Sequence, residues 1–305
     1  REIQHPIPGE FDKFILEKDE DRVYNLGLFS TVDISTQSSV YIVTVVETFR
    51  VIPFPLLDYD EGKGFSYGGG ISYINFRGLN EKLTFGMLFG EEKTWFLDFM
   101  DPWITGDHVS INLGMYNFFT DGAVYAYKYQ EKGGYAGSGF YRGNRNKYDV
   151  KMGIETIFLD TAGVTTDDRW DLESFSFDYH YLYAVFNYQY DTRDVYIDPT
   201  KGQHLKLHMK PRFGIRNTHN YYQFKYEHTY FYQISQNFKN PVFSIKSALF
   251  IQKPESVPPF SHVYIGGEDY VRGYSPIPWQ NPKSTQDKIE GIHAIYESIQ
   301  LQHTL

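Results

Sequence analysis

Apolar and polar side chains alternate along most of the chain beyond residue 64, which is the pattern of β-strands with one apolar and one polar face. The clearest example covers residues 221–234. One of its faces carries Tyr222, Phe224, Tyr226, His228, Tyr230, Tyr232 and Ile234. Strands of soluble proteins average about 5–6 residues, whereas a tilted strand that crosses a membrane needs about 9–11. The length of this segment favours a membrane-spanning strand.

Twelve segments are predicted as strands, and nearly all have nine residues or more. They are 66–77, 81–90, 93–101, 107–119, 122–131, 136–144, 148–159, 174–191, 202–213, 221–235, 241–252 and 289–303. The connections partly alternate between short turns, such as Glu91-Glu92, and long loops, such as 253–288. Short turns at one end of a barrel and longer loops at the other are typical of outer-membrane proteins.

The fold class that this pattern predicts is mainly β, an antiparallel transmembrane β-barrel. Lipid offers no water to the backbone, so a sheet must pair its N–H and C=O groups by closing on itself. Tyrosines at strand ends suit the aromatic girdles of such barrels. A soluble β-sandwich or propeller is the alternative, and it predicts shorter strands with an aliphatic core face.

The first fifty residues predict a separate α+β unit. Residues 10–28 have roughly helical spacing, and 31–34 and 40–46 read as two strands. Pro53 and Pro55 then begin a stretch that is typical of a linker. The predicted domains are the α+β unit over 1–52, a linker over 53–64 and the barrel over 65–305.

Composition excludes several classes of protein. The 305 residues are 41% hydrophobic and 18% aromatic, and the longest wholly apolar run is Tyr181 to Phe186, far too short for a spanning helix. A net charge of -9 disfavours nucleic acid as a partner. Cysteine is absent, and no nucleotide, hydrolase or metal motif is present in the sequence. The sequence therefore predicts no enzyme activity, no catalytic residue, no metal site and no cofactor.

A turn motif lies between two predicted strands. It consists of Asp191, Thr192, Arg193, Asp194, Pro199 and Gly202. The proline and the glycine favour a turn, and the charged residues can pair within it. Reading the aspartates as paired catalytic carboxylates is disfavoured, because no residue of a pocket accompanies them.

The longest predicted loop contains the sequence Gly266-Gly-Glu-Asp-Tyr-Val-Arg-Gly-Tyr274. Loops longer than about 12–15 residues are usually functional or disordered. This one carries aromatic and apolar residues that need a surface to pack against, and the inside of the barrel would supply it. Arg272 would then need a carboxylate partner, because an unpaired charge in a partly desolvated lumen is costly. Glu297 on the following strand is the candidate, and a solvated arginine in an exterior loop is the alternative.

These residues resemble the BamA/TamA superfamily of outer-membrane protein assembly factors. The residues Val271, Arg272, Gly273 and Tyr274 resemble the VRG(F/Y) signature of that family's sixth extracellular loop. The turn motif resembles its DTRD…PTxG turn. Residues 22–30 and 32–34 resemble the second helix and second strand of a POTRA domain, and Asp101-Pro102 after an aromatic strand also fits. The motifs occur in the family's order over essentially the whole chain.

The resemblance implies one or more periplasmic POTRA domains before a sixteen-stranded barrel. About twelve strands are predicted here, so we expect a barrel that is incomplete at its C-terminus. Residues 1–52 are then expected to be the C-terminal part of a POTRA domain.

The function implied by the resemblance is the assembly and insertion of outer-membrane β-barrel proteins without ATP. Family members open a lateral seam between the first and last strands, and an incoming strand could pair there by β-augmentation. The predicted first strand contains Gly68, Gly69, Gly70, Ile71 and Tyr73. Glycine weakens strand pairing, which suits a seam that must open.

The implied partners are outer-membrane lipids, unfolded outer-membrane protein clients, accessory lipoproteins and periplasmic chaperones. The implied location is the outer membrane of a Gram-negative-type bacterium, with the POTRA part in the periplasm. A protein-secretion translocase of the same superfamily and the barrel part of a patatin-type lipase are alternatives. A passive pore would need neither the POTRA-like segment nor the VRGY loop, and a soluble β-rich binding module would not depend on detergent.

Overall fold

The computed structural model describes residues 3, 12–24, 26–37, 40–60, 64–90, 93–105, 109–120, 128–143, 145–160, 178–194, 199–234, 241–254, 257–266, 270–272, 274 and 290–302. Its elements are α1 (Lys13–Tyr24), β1 (Phe29–Gln37), β2 (Val40–Glu47), β3 (Val51–Asp60), β4 (Gly64–Phe76), β5 (Glu81–Gly90), β6 (Thr94–Asp101), β7 (Val109–Thr120), β8 (Lys128–Arg142), β9 (Asn146–Asp160), β10 (Asp178–Asp191), β11 (Gly202–Ile215), β12 (Tyr221–Gln233), β13 (Val242–Lys253), a 3-10 helix (Pro259–Ser261), β14 (Val263–Tyr264), β15 (Glu290–Gly291) and β16 (Ala294–Gln302). The described part of the chain contains no helix with the length and apolar character of a membrane span.

The N-terminal unit packs one helix on a two-stranded sheet. Asp12 caps α1, because its side chain accepts a hydrogen bond of 2.9 Å from the Phe14 N–H. Leu16 and Val23 on the helix pack against Val32 and Ile34 of β1 in a small core. The predicted helix and two strands are thus confirmed, while their assignment to a POTRA domain stays a prediction.

Twelve strands form one antiparallel sheet in the order β16-β13-β12-β11-β10-β9-β8-β7-β6-β5-β4-β3. Each strand except β16 lies beside its neighbours in sequence, and β16 returns to β13 after the long loop. This is the meander of an antiparallel transmembrane barrel, so the predicted fold class is confirmed. Among the described residues, the two outermost strands, β3 and β16, each have one neighbour in the sheet.

Two predictions about the strands are wrong. One missed a strand and the other divided one strand into two, so the number of strands in the sheet still agrees with the twelve predicted. The predicted linker over 53–64 is mostly strand, since β3 pairs with β4 from Val51↔Tyr73 to Asp60↔Gly64. The barrel sheet therefore begins at Val51. The predicted break between the strands 122–131 and 136–144 is wrong, because β8 runs through Gly133 and Gly134 as a single strand. Residues 122–127 and 144 of these predicted strands lie outside the described residues.

One face of the sheet is apolar and exposed. A single register row places exposed side chains next to one another across seven strands and Gly134 of β8: Ile71, Phe85, Leu97, Met115, Ile154, Leu182 and Phe213. Ile154 is 63% exposed and Met115 is 55% exposed. Such a face is suited to lipid, whereas a soluble protein rarely exposes so large an apolar surface. We call it the outward face.

The opposite, inward face carries buried polar groups. Glu155 of β9 has a fully buried side chain that accepts hydrogen bonds from Lys210 Nζ at 2.8 Å and from the Arg212 guanidinium. The Arg212 guanidinium also lies 4.9 Å from the centre of the Tyr221 ring. Paired charges and a cation–π contact offset the desolvation of these groups. The inner wall is therefore cross-linked by polar contacts from β9 to β12.

Candidate functional site

The turn motif between β10 and β11 is built by hydrogen bonds among its own residues. Arg193 donates to both Asp191 carboxylate oxygens, from Nε at 3.0 Å and from Nη2 at 2.6 Å. Asp194 accepts from the Thr200 hydroxyl at 2.6 Å and from the Thr200 and Lys201 N–H groups. Gly202 has a φ of +101°, in the region that favours glycine. Among the described residues of this turn, these hydrogen bonds stabilise the turn conformation.

The long loop after β13 folds against the inward face. The Gln252 side-chain amide donates a hydrogen bond to the Ser261 carbonyl oxygen. The Ser261 hydroxyl donates to the Pro258 carbonyl oxygen at 2.7 Å. Val257 and Phe260 pack on a cluster of inner-wall side chains that consists of Ile157, Leu159, Tyr179, Tyr181 and Tyr221. The first part of the loop thus covers the inner wall of β9, β10 and β12.

Tyr270 fixes the next part of the loop to the wall. Its hydroxyl donates to Glu227 Oε1 at 2.8 Å, and its backbone carbonyl accepts from the Tyr296 hydroxyl at 2.9 Å. Its ring lies edge-on to Phe250, with centroids 5.6 Å apart. The Lys246 ammonium lies 4.7 Å from the ring centre. Strands β12, β13 and β16 therefore all contribute to one binding site for this tyrosine.

The VRGY segment follows directly. Val271 N–H donates to Ile265 O at 3.1 Å, and Gly266 and Val271 form an isolated parallel bridge, so the segment folds back on the residues before it. Tyr274 N–H donates to Val271 O at 3.4 Å. Gly273 lies outside the described residues.

The described structure does not bring Arg272 and Glu297, the predicted pair, together. Arg272 is exposed, and its guanidinium has no ion pair with any described residue. Glu297 shares the outward face with Ile295 and Ile299, because side chains alternate along β16, and it accepts a hydrogen bond of 2.8 Å from the Ser247 hydroxyl. Tyr296, its neighbour in sequence, is the residue of β16 that faces the loop.

The predicted seam strand is not an edge of the sheet. Gly68, Gly69, Gly70, Ile71 and Tyr73 lie in β4, which pairs with β3 on one side and β5 on the other. Gly70 makes room for a ring instead of weakening the pairing: a Cβ there would lie 2.3 Å from a ring atom of Phe54. In the described part of the sheet, the strand at this edge is β3, whose Leu57 is 72% exposed.

Comparison with known proteins gives one family. The Omp85 superfamily domain matches residues 75–304. The chain therefore belongs to the Omp85 superfamily. No curated protein matches the chain at significance.

Three of the solved structures that match the chain illustrate the shared fold. BamA from Haemophilus ducreyi lacking POTRA domains 1-3 has a TM-score of 0.74 and 17% identity, over 98% of this chain and 63% of that one. CdiB from Acinetobacter baumannii has a TM-score of 0.50 and 13% identity, over 100% of this chain and 58% of its own. CdiB from Escherichia coli has a TM-score of 0.52 and 12% identity, over 95% of this chain and 56% of its own. The chain thus spans less than two thirds of each structure's length, and at these identities the likeness shows the fold alone.

Sequence reasoning missed two parts of this site. Tyr270 lies inside the loop sequence 266–274, but the sequence analysis assigned the contact with the wall to Arg272, two residues further along. Strand β3 was missed because of Pro53 and Pro55, although the other five residues of 51–57 are apolar. A signal existed in each case: a tyrosine amid loop residues that need a surface, and a cluster of apolar residues that does not suit a solvated linker.

Proposed function

We propose that this chain is the barrel part of an outer-membrane β-barrel assembly and insertion factor that works without ATP. The observation that carries the proposal is that β3 is the outermost strand in the described part of an Omp85-type sheet and borders an apolar outward face. An edge strand presents unpaired N–H and C=O groups, which form a template for another strand. An unfolded client would pair with this edge by β-augmentation and pass along it into lipid.

The folded-in loop supports the same proposal. A loop fixed by Tyr270 to β12, β13 and β16 occupies the inner side of the wall. It would keep this part of the wall rigid while the β3 edge exchanges partners. The proposed partners are outer-membrane lipids and unfolded outer-membrane proteins, with accessory lipoproteins and periplasmic chaperones beside the N-terminal unit. The proposed location is the outer membrane, with that unit in the periplasm as part of a POTRA domain.

The test is reconstitution of the full-length protein in phospholipid vesicles with an unfolded outer-membrane barrel as client and no nucleotide. Folding is followed by the heat-modifiable gel shift of the client. The proposal expects faster folding than in empty vesicles, with the client protected from added protease in the bilayer. Folding at the rate of empty vesicles contradicts it.

A protein-secretion translocase of the same superfamily is the second candidate, because the fold is also shared with CdiB. The same vesicles separate the two functions. A translocase would deliver a soluble client across the bilayer without accelerating the folding of a barrel client. Leakage of small solutes without either effect would indicate a passive pore.

A further inference from the structure

Among the described residues, β3 has a neighbour on one side only, and we call its other side the free edge. The backbone groups along this edge have a defined arrangement. The Ile74 N–H donates to the Arg50 carbonyl at 2.8 Å, just before the β3–β4 register begins. That register then continues without a break to Asp60↔Gly64. Hydrogen-bonded and non-hydrogen-bonded pairs alternate along an antiparallel ladder. Even-numbered residues of β3 therefore direct their N–H and C=O groups to β4, and odd-numbered residues direct theirs to the free edge.

Pro53 and Pro55 both occupy odd-numbered positions of β3. Proline has no N–H, so the free edge offers N–H donors at Val51, Leu57 and Tyr59 alone. Carbonyl acceptors remain at every odd position from 51 to 59. The unbroken register with β4 agrees with this orientation, since a proline that faced β4 would interrupt it.

Pro211 shows in this same sheet what a proline does to a ladder that it faces. The register between β11 and β12 runs through Pro211↔Tyr222 without a gap. Between β10 and β11 it stops at Tyr183↔Arg212 and resumes at Phe186↔Met209. A proline therefore opens the ladder on the side to which its nitrogen points and leaves the other side intact.

We propose that Pro53 and Pro55 divide the free edge of β3 into one end with the single donor of Val51, a centre that cannot donate hydrogen bonds, and a second end, residues 57–60, with two donors. A client's extended strand binds at that end first, and its carbonyl groups opposite the two prolines receive no bond from β3. Unpaired carbonyl groups are costly in lipid, so the strand is held loosely at the centre and can be released. This inference rests on the proposed function and names the part of the edge that binds.

Cysteine crosslinking of the full-length protein in phospholipid vesicles tests the inference. The 305 residues contain no cysteine, so once any cysteine elsewhere in the full-length protein is replaced by serine, Leu57→Cys and Val51→Cys give single reporters on the two sides of the prolines. The probe is a synthetic peptide with the sequence of an outer-membrane barrel's terminal strand and one cysteine. We expect a several-fold higher adduct yield at position 57 than at position 51.

The double variant Pro53→Ala, Pro55→Ala restores the two donors. The yield at position 51 is then expected to rise to that at position 57, and release of the peptide is expected to slow about tenfold, the order for two backbone hydrogen bonds. Pro211→Ala is the matched control, because it removes a proline away from the edge. It should leave both yields unchanged.

Each other outcome has a distinct meaning. Equal yields at both positions before any proline is replaced, or no response to the double variant, would overturn the inference and leave the proposed function standing. No adduct at either position would count against the proposed function itself. Crosslinks formed only within the chain would place another segment of this protein on the edge, and would overturn the inference.

Discussion

Tyr270 is the residue that joins the long loop to the inner wall. Its hydroxyl, ring and backbone carbonyl each have a separate partner, Glu227, Phe250 and Tyr296 respectively. Arg272 is exposed instead. The difference follows from the two side chains. A tyrosine has an apolar ring and one hydrogen-bond donor, and an inner wall of mixed apolar and polar residues offers partners for both. A guanidinium needs a carboxylate within hydrogen-bond distance.

Tyr270→Phe is expected to loosen the loop. The variant keeps the ring and removes the hydroxyl that donates to Glu227, and hydrogen bonds to charged groups contribute about 1.5–3 kcal/mol. Maleimide labelling of Val257→Cys should become faster, because Val257 lies in the first part of the loop and is only 2% exposed while the loop is fixed to the wall. Tyr274→Phe is the control, because Tyr274 is 39% exposed, and it should label like the parent. Equal labelling of the Tyr270→Phe and parent proteins would contradict the role of this tyrosine.

Gly70→Ala is expected to destabilise the contact between β3 and β4. The added methyl would lie 2.3 Å from the Phe54 ring and 2.6 Å from the Phe85 carbonyl oxygen, and overpacking of this kind costs about 1–3 kcal/mol. At Gly69 the nearest atom is 3.3 Å away. The temperature of the heat-modifiable gel shift should therefore fall further for Gly70→Ala than for Gly69→Ala. An equal fall in both would show that the ring does not depend on the glycine.

At the scale of elements, most strands could be predicted from the sequence, whereas the outermost strand β3 could not. The alternation of apolar and polar residues located β4 to β7 and β9 to β13 to within a few residues. Glycines in β8 look like a turn in sequence, yet a Cβ at Gly133 would lie 2.5 Å from the Ile154 carbonyl oxygen of β9 and 3.1 Å from the Tyr116 ring. Prolines in β3 look like a linker, yet a strand with a partner on one side tolerates them. Both errors concern residues whose meaning depends on the neighbouring strand.

The partners of the loop also could not be read from the sequence. Glu227 and Tyr296 are far from Tyr270 along the chain, and the sheet register alone brings them to the same side of the wall. Periodicity does give the face of each residue on a strand. Alternation from Tyr296 would have placed Glu297 on the outward face, once the loop was known to lie on the inward one.

The turn between β10 and β11 depends on Asp194. Asp194→Ala removes the acceptor for Thr200 and Lys201, and each lost bond to a carboxylate is expected to cost about 1.5–3 kcal/mol. Asp194→Asn keeps an oxygen acceptor and should recover part of that loss. Protease cleavage within the turn of the folded protein measures the effect. Indistinguishable cleavage of the alanine variant and the parent would contradict the bracing role of this side chain.

At the scale of the whole molecule, one exposed apolar face and one polar face define how the sheet meets its surroundings. Ile154 lies near the middle of β9 on the outward face. A lysine on the lipid side costs about 2–4 kcal/mol at the bilayer midplane, so Ile154→Lys should reduce the stability of the protein in vesicles by that order. Gln189→Lys on the inward face should have a smaller effect. Urea unfolding in vesicles compares the two variants, and equal losses would contradict the assignment of the faces.

The central claim is that the β3 edge receives the strand of a client while equally exposed positions of the sheet do not. The most direct measurement is cysteine crosslinking in cells between an assembling outer-membrane barrel and either Leu57→Cys or Ile154→Cys, which are 72% and 63% exposed on the outward face. The account predicts an adduct with the client's terminal strand at position 57 and none at position 154. Adducts of equal yield at both positions, or at neither, would contradict it.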